Sequence, residues 1–216
     1  MQTLSRSLSI ALLLALSVVT ASAHDDDEVQ IHGVAVGKQT LSTLKSGETQ
    51  AEYGFSERGR GDQQKARWTL DKQGLPLSYD MEGNDYWKVP ISEHFKVADG
   101  RATWKNRIET GDASWTAPAS SAFYLPANSP PEFMAVLARA LLKAPQQRLA
   151  LLPAGEAWLE RGPTLLDAKK HKLTLYSIGG VQFTPVPVWL DEKGATAGVI
   201  DDWFEVLGAQ YKPLLP

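Results

Sequence analysis

The feature that most constrains the fold is a device that recurs along the chain: a short strand-like segment runs into a turn that contains glycine. It occurs at residues 71–74 (Asp-Lys-Gln-Gly), 98–100 (Ala-Asp-Gly) and 191–194 (Asp-Glu-Lys-Gly). The glycine supplies the positive φ that such hairpin turns need. Because these short connections can join only antiparallel neighbours, the sequence predicts a mainly β (β-rich α+β) fold, built as a curved antiparallel meander sheet or half-barrel.

One segment departs from the strand pattern and predicts a helix over 130–144. Ser129 offers an N-cap hydroxyl, two prolines follow, and Glu132 stands three residues after the cap, which is the pattern of a capping box. Pro145 ends the run. An apolar stripe at helical spacing should lie against the sheet, and if it were left partly exposed it would form an apolar ligand groove of Phe133, Val136, Leu137 and Leu141.

The N-terminus reads as a secretory signal peptide. Arg6 precedes an apolar run over 8–19, and the segment ends in Ala21-Ser22-Ala23. The run is shorter than the roughly 20 apolar residues that a membrane-spanning helix needs. We therefore expect cleavage after Ala23 and export, to the periplasm, of a soluble chain with no transmembrane segment.

The remaining chain divides simply. Residues 24–28 carry four consecutive acidic residues and are expected to be a solvated acidic leader. Residues 29–208 are expected to form a single antiparallel β-rich domain with the one helix. The irregular tail, 209–216, has little strand or helix pattern, which suggests either a peripheral terminus or a chain cut before its natural continuation.

Composition excludes several classes of function. The formal net charge is -3, with 22 basic residues scattered among 25 acidic ones, so no basic surface for nucleic acid is indicated. Cysteine is absent, which excludes a thiol nucleophile, disulfides and thiolate metal sites.

A metal site is not expected either. The four histidines are at no ligand spacing such as H-x-H; they are His24, His32, His94 and His171. The sequence therefore predicts no catalytic, cofactor-binding or metal-ligating residue in this chain. The mature protein should bind no stoichiometric zinc, and chelators should leave its thermal midpoint unchanged.

Two weaker patterns could carry chemistry. Four carboxylates could be searched for an acid–base pair, although their flanks resemble turns: Glu82, Asp85, Asp201 and Asp202. A small basic patch could meet an acidic ligand, although solvent-facing charges that discourage edge pairing explain it more simply: Arg58, Arg60, Lys65 and Arg67. No G-x-S-x-G elbow, P-loop or G-x-G-x-x-G is present.

A series of strings, in order along the chain, resembles the β-rich leading region of exported amidohydrolase-family proteins. The strings are YGFSERGRG (53–61), LDKQGLP (70–76), GNDY (83–86), WKN (104–106), FYL (123–125), PPE (130–132), LLPAGE (151–156) and FTPVPVW (183–189). The resemblance implies a leading domain that precedes a metal-dependent barrel, with the divalent metal held only in that absent barrel.

Three functional hypotheses follow. The first is a non-catalytic leading domain, or truncated form, of an exported amidohydrolase-type hydrolase, whose partner would be the catalytic portion and which would be inactive alone. The alternative is a free-standing periplasmic binding module for a small apolar or lipid-like ligand. The third is a self-contained hydrolase, which only the weak carboxylate pairs favour.

Overall fold

The computed structural model describes residues 26–115, 122–166, 170–201, 203–208 and 211. The helix, α1, spans Glu132–Lys143 and is followed by a 3-10 turn at Pro145–Gln147. The strands are β1 (Asp27–Ile31), β2 (Val34–Thr43), β3 (Thr49–Phe55), β4 (Gln63–Leu70), β5 (Pro76–Asn84), β6 (Pro90–Ala98), β7 (Arg101–Lys105), β8 (Thr110–Ser114), β9 (Phe123–Tyr124), β10 (Arg148–Leu152), β11 (Glu156–Leu166), β12 (Lys172–Gly179), β13 (Val186–Asp191), β14 (Thr196–Ile200) and β15 (Glu205–Leu207).

All these strands belong to one sheet in the order β8-β7-β6-β5-β4-β3-β2-β1-β15-β14-β13-β12-β11-β10-β9. The chain therefore starts in the middle of the sheet, proceeds outward to β8, and returns from the opposite edge until β15 pairs with β1. Neighbouring strands are antiparallel except β9 and β10, which are parallel. The predicted mainly β fold, with a large curved meander sheet and one helix, is confirmed.

The sheet is rolled around the helix. Phe133 of α1 lies 5.3 Å from Trp68 of β4 and 4.8 Å from Tyr79 of β5, measured between ring centroids, while the same helix also contacts β11, β13 and β14. The edge strand β9 is tucked inside the first half of the sheet, because Tyr124 stacks on Phe95 of β6 at 4.2 Å.

Alternation of side chains explains why the sheet has one apolar face. In β6, Ile91, Glu93 and Phe95 are buried, whereas the side chains between them are exposed. This period of two places one set of residues against the helix and the other in water. Burial of a large side chain such as Phe95 stabilises the fold by about 1.5–3 kcal/mol.

The predicted hairpin turns are confirmed. Asp71 Oδ1 accepts hydrogen bonds from the backbone N–H groups of Gln73 at 2.9 Å and Leu75 at 2.8 Å. Asp191 Oδ1 does the same for Lys193 and Ala195, both at 2.8 Å. The aspartate thus fixes each turn by satisfying backbone donors.

The start of α1 differs from the predicted capping box. The N-cap residue is Pro131, which makes no capping hydrogen bond through its side chain. Instead, the Glu132 N–H donates to Gln39 Oε1 at 3.1 Å, and the Glu132 carboxylate accepts from Arg139 at 2.6 Å. Contacts that are distant in sequence, which the local pattern does not contain, therefore replace the Ser129–Glu132 exchange.

Candidate functional site

The apolar stripe of α1 is part of the core. Phe133, Leu137 and Leu141 are 0% exposed and Val136 is 2% exposed. Phe133, Leu137 and Leu141 are therefore not available to form the predicted groove. Val136 borders a cavity between α1 and the β13–β14 turn, which is described below.

Two of the four candidate carboxylates, Asp85 and Asp201, fix turns of the backbone. Asp85 Oδ1 accepts hydrogen bonds from the N–H groups of Trp87 and Val89, and Asp201 Oδ1 accepts from Trp203, as turn-forming aspartates do. Glu82 is exposed on β5, and Asp202 lies outside the described residues. The neighbour that the fold brings near Asp201 is Asp62, which the sequence did not single out.

The four basic residues are dispersed. Arg58 is exposed in the turn after β3, and the Arg60 guanidinium lies 4.4 Å above the Trp87 ring. Lys65 and Arg67 lie on β4, where Lys65 pairs with Glu52 and Arg67 with Gln50 on the neighbouring strand. The structure therefore does not assemble them into one anion-binding patch.

The histidines are also separate. His32 is in the β1–β2 turn with a φ of 51°, His94 pairs with Asp80, and His171 is exposed near the start of β12; His24 lies outside the described residues. Within the described ranges, no group of three or more His, Asp or Glu side chains is arranged to hold a metal ion.

A cavity of about 310 Å³ opens at one end of the rolled sheet. We call this end the aromatic end; it consists of the loops at 32–33, 56–62, 85–89, 106–109, 180–185 and 201–204. The cavity lies between the start of β4, the end of β14 and the beginning of α1. Its apolar wall is formed by Leu125, Met134, Val181, Val186, Val199 and Phe204.

Polar groups gather on another side of this cavity. Asp62, Gln64 and Asp201 line it, and Tyr53 is close enough for the charges of Asp62 and Asp201 to raise the pKa of its hydroxyl, in addition to the larger effect of burial. Burial, and then the charge of Asp85, raise the pKa of Asp62 above its ordinary value of 3.8. The cavity thus concentrates acidic groups in a partly desolvated place.

Two buried acceptors at this site are unsatisfied. Tyr53 is 4% exposed and Gln64 is 7% exposed. Neither Tyr53 Oη nor Gln64 Oε1 has a hydrogen-bond partner within the part of the chain that the structure describes. Buried polar atoms are nearly always paired, so it is unusual that one such atom belongs to a residue lining the cavity and the other lies close to its two aspartates.

The end of the sheet at which the cavity opens carries much exposed apolar surface. Of the nine exposed large hydrophobic side chains among the described residues, six lie in or directly next to the loops of the aromatic end: Val34, Trp87, Val89, Ile108, Phe183 and Trp203. Tyr86 links two of them, since its ring makes edge contacts with Trp87 at 5.4 Å and with Trp203 at 6.5 Å. Such concentrations of exposed apolar surface mark interaction sites.

Glycine makes the close packing behind Asp62 feasible. Gly61 has a φ of 149°, and a Cβ there would come within 2.1 Å of the Phe55 carbonyl oxygen. Its N–H donates to Tyr86 O at 3.3 Å and its own carbonyl accepts from Asn84 Nδ2 at 3.2 Å. These bonds join the 57–61 turn to the β5–β6 hairpin, and so position the carboxylate next to the aromatic rim.

A second cavity, of about 430 Å³, lies between α1, β2–β4 and the β13–β14 turn. Its buried acid, Glu132, already pairs with Arg139, which also donates to Thr196 Oγ1 at 3.0 Å. Glu132 Oε2 has no partner among the described residues. This cavity lies away from the loops of the aromatic end, and its buried acid already has a cationic partner, so we regard the aromatic end as the stronger candidate.

No family model and no curated protein matches this chain. Among solved structures, the chain is similar to a β-barrel-like protein of the domain of unknown function DUF1849 from Brucella abortus, with a TM-score of 0.51, 11% sequence identity, and coverage of 86% of this chain and 94% of that one. At this level of identity the likeness concerns the fold alone.

This finding overturns the amidohydrolase assignment. The similar structure is a β-barrel-like protein and not the leading domain of a metal-dependent hydrolase. The strings that carried the resemblance consist largely of turn and helix-start signals, such as the Asp-Lys-Gln-Gly turn at 71–74. Any rolled antiparallel sheet needs such signals, so their order does not indicate membership, and the hypothesis of a leading domain or fragment of such an enzyme is wrong.

Proposed function

We propose that this protein is a non-catalytic binding module for an apolar or lipid-like ligand, and that the apolar part of the ligand enters the cavity at the aromatic end. The observation that carries the proposal is that a cavity with an apolar wall opens at the same end of the sheet as six of the nine exposed large hydrophobic side chains among the described residues. Ligand sites are typically concave and mostly apolar, with a few convergent polar groups.

The shape of the site supports a slender ligand. The cavity, at about 310 Å³, is near the lower end of the range of small-molecule pockets, roughly 300–1,000 Å³. Trp87 and Trp203, each 65% exposed, lie in loops at the same end of the sheet and offer apolar surface to the remainder of a longer ligand. Covering such apolar surface is favourable by roughly 25 cal/mol per Å².

We also propose that the module acts after export to the periplasm, with cleavage after Ala23. The support is the signal-peptide pattern of the first 23 residues, which lie outside the described part of the chain. Of the helices that the structure describes, none has the length and apolar character needed to cross a membrane. Intact-mass measurement of protein released from the periplasm tests this, since we expect a chain that starts at His24.

A cavity-filling variant tests the binding site. Met134 is partly buried on α1 and lines the cavity. Leu142 is on the same helix, is 38% exposed and does not line the cavity. We expect Met134→Trp to weaken binding of the apolar fluorophore N-phenyl-1-naphthylamine by at least about tenfold, or about 1.4 kcal/mol, while Leu142→Trp leaves binding unchanged.

The thermal midpoints of both variants establish that they are folded. The proposal fails if wild-type protein does not bind the fluorophore, or if folded Met134→Trp binds it as tightly as wild type does. Native mass spectrometry with added fatty alcohol gives an independent measurement of the same site.

A further inference from the structure

We infer that the cavity at the aromatic end accepts a protonated primary amine, so that the ligand is an amphiphile with an ammonium headgroup and an apolar chain. This inference rests on the proposed function. The headgroup would be held by the carboxylates of Asp62 and Asp201 and by the free acceptors of Gln64 and Tyr53.

The first step is the balance of charge. Asp62 and Asp201 line the same cavity, and neither forms a salt bridge with a basic side chain within the described ranges. The nearby cations are directed elsewhere: Arg60 lies over the Trp87 ring, and Arg107 pairs with Asp85 at 3.5 Å. Two acidic groups in a half-buried place without a cation favour the entry of a positive charge.

The second step is the supply of hydrogen-bond donors. The side-chain donors that reach these carboxylates are amides: Gln64 Nε2 donates to Asp62 at 3.3 Å, and Gln182 Nε2 donates to Asp201 at 3.4 Å. Because its amide nitrogen is turned toward Asp62, Gln64 leaves its own Oε1 as an unsatisfied buried acceptor. An incoming donor would satisfy it.

The third step matches the site to the chemistry of the ligand. A primary ammonium has three donors and no acceptor, and the site offers acceptors on Asp62, Asp201 and Gln64, with Tyr53 Oη beside them. A quaternary ammonium carries the charge but has no N–H, so it would leave the buried acceptors unsatisfied. A carboxylate headgroup would be repelled.

A divalent metal fits the site less well. Calcium takes six to eight oxygen ligands and magnesium takes near-ideal octahedral coordination, whereas no group of three or more acidic or histidine side chains in the described chain has metal-site geometry. The apolar wall, which includes Val199 and Phe204, suits an alkyl chain next to the charge.

The experiment compares four ligands that share a twelve-carbon chain, each below its micellar concentration: dodecylamine, dodecyltrimethylammonium, dodecanol and dodecanoate. Affinities are measured by calorimetry at pH 7.5, with tryptophan fluorescence as a second signal. We expect dodecylamine to bind about tenfold or more tighter than dodecanol, dodecyltrimethylammonium to fall between them, and dodecanoate to bind most weakly.

Charge-removing variants locate the effect. Asp62→Asn and Asp201→Asn should each reduce the affinity for dodecylamine to near that for dodecanol, and should change the affinity for dodecanol by a much smaller factor. Tyr53→Phe should weaken dodecylamine binding by a smaller factor. The matched control is Asp99→Asn, an exposed turn residue at the opposite end with a φ of 52°, which asparagine tolerates; it should change neither affinity.

The outcomes separate this inference from the proposed function. Equal affinities of the amine and the alcohol in wild type, unaltered in Asp62→Asn and Asp201→Asn, overturn the amine inference and leave the apolar cavity in place. Equal affinities of dodecylamine and dodecyltrimethylammonium also overturn it, because the buried acceptors would then have no role. If none of the four ligands binds, the proposed function fails as well.

Discussion

Two acidic regions on the inner face of the same sheet differ in how their carboxylates are satisfied. Glu93 is 3% exposed and accepts hydrogen bonds from Tyr124 Oη at 2.6 Å and from the N–H groups of Ala127 and Asn128 at 3.0 and 3.2 Å. Burial raises its pKa, and these bonds partly oppose the rise. Asp62, by contrast, has one amide donor and acidic neighbours.

The difference distinguishes a structural acid from a candidate binding acid. The donors of Glu93 come from β9 and from the segment that leads into α1, so this carboxylate fastens the inner edge of the sheet to β6. At the aromatic end the acids face a cavity, and buried acceptors stay open. Buried polar groups that the fold itself satisfies contribute to order, whereas those it leaves open are places for a ligand.

The largest expected effect is at the structural region around Glu93, where β9 packs on β6. Phe95→Ala should lower the free energy of unfolding by about 3–5 kcal/mol, because Phe95 is 0% exposed and stacks on Tyr124. Urea unfolding followed by far-UV circular dichroism measures it. A loss below about 1 kcal/mol would show that β9 is not held against β6 as described.

A smaller loss is expected for Glu93→Gln. The amide group presents N–H where the carboxylate accepted, so at least one donor among Tyr124, Ala127 and Asn128 is left unpaired, at a cost of about 1–3 kcal/mol. The control is Glu82→Gln on the exposed face of β5, which should change the free energy of unfolding by less than about 0.5 kcal/mol. Equal effects of the two substitutions would contradict a special role for Glu93.

Removing the charge of Asp62, at the aromatic end, should raise the free energy of unfolding rather than lower it. Because the pKa of Asp62 is raised in the folded state, its contribution to stability is fully present below the ordinary pKa of the unfolded chain and is lost as the pH rises through the folded-state value. Asp62→Asn should therefore be slightly more stable than wild type at pH 7.5, and this advantage should shrink toward pH 4. Urea unfolding of both proteins at the two pH values measures the difference, and an advantage that grows toward low pH would contradict the assignment.

The smallest effect is expected at the rim. Trp203→Ala should change the free energy of unfolding by less than about 0.5 kcal/mol, since the side chain is 65% exposed. The same substitution should weaken binding of the apolar fluorophore. A strongly destabilised Trp203→Ala protein would instead place this tryptophan in the core.

The sequence predicted what local signals encode. The Asp-x-x-Gly turns and the helix follow from hydrogen bonds and periodicity within a few residues, and both are present. The predicted capping box was wrong because the hydrogen-bond partners of Glu132 lie outside the local pattern. Gln39 is distant in the sequence, and Arg139 is seven residues further along the chain.

The candidate site could not be predicted in the same way. Asp62 and Asp201 are far apart in the sequence and converge only because β1 and β15 join the two halves of the sheet. Asp201 is one of the four candidate carboxylates in the sequence, whereas the local pattern around Asp62 does not distinguish it from other acidic turn residues. The exposure of Trp87 and Trp203 could not be predicted either, because other tryptophans of this chain, such as Trp104 and Trp189, are buried by the fold.

The pairing of the first strand with the last has a consequence for how the molecule is assembled. As the chain is made from its N-terminus, β1 can pair with β2 early, but its other edge must wait for Glu205–Leu207. Until then the backbone groups of Glu28, Val29 and Gln30 form an open edge in what becomes the middle of the sheet, and open edges invite pairing with other chains. The pairing that completes the sheet, between β1 and β15, is also the strand pairing most distant in sequence. It therefore requires the largest loss of chain entropy and is expected to form slowly.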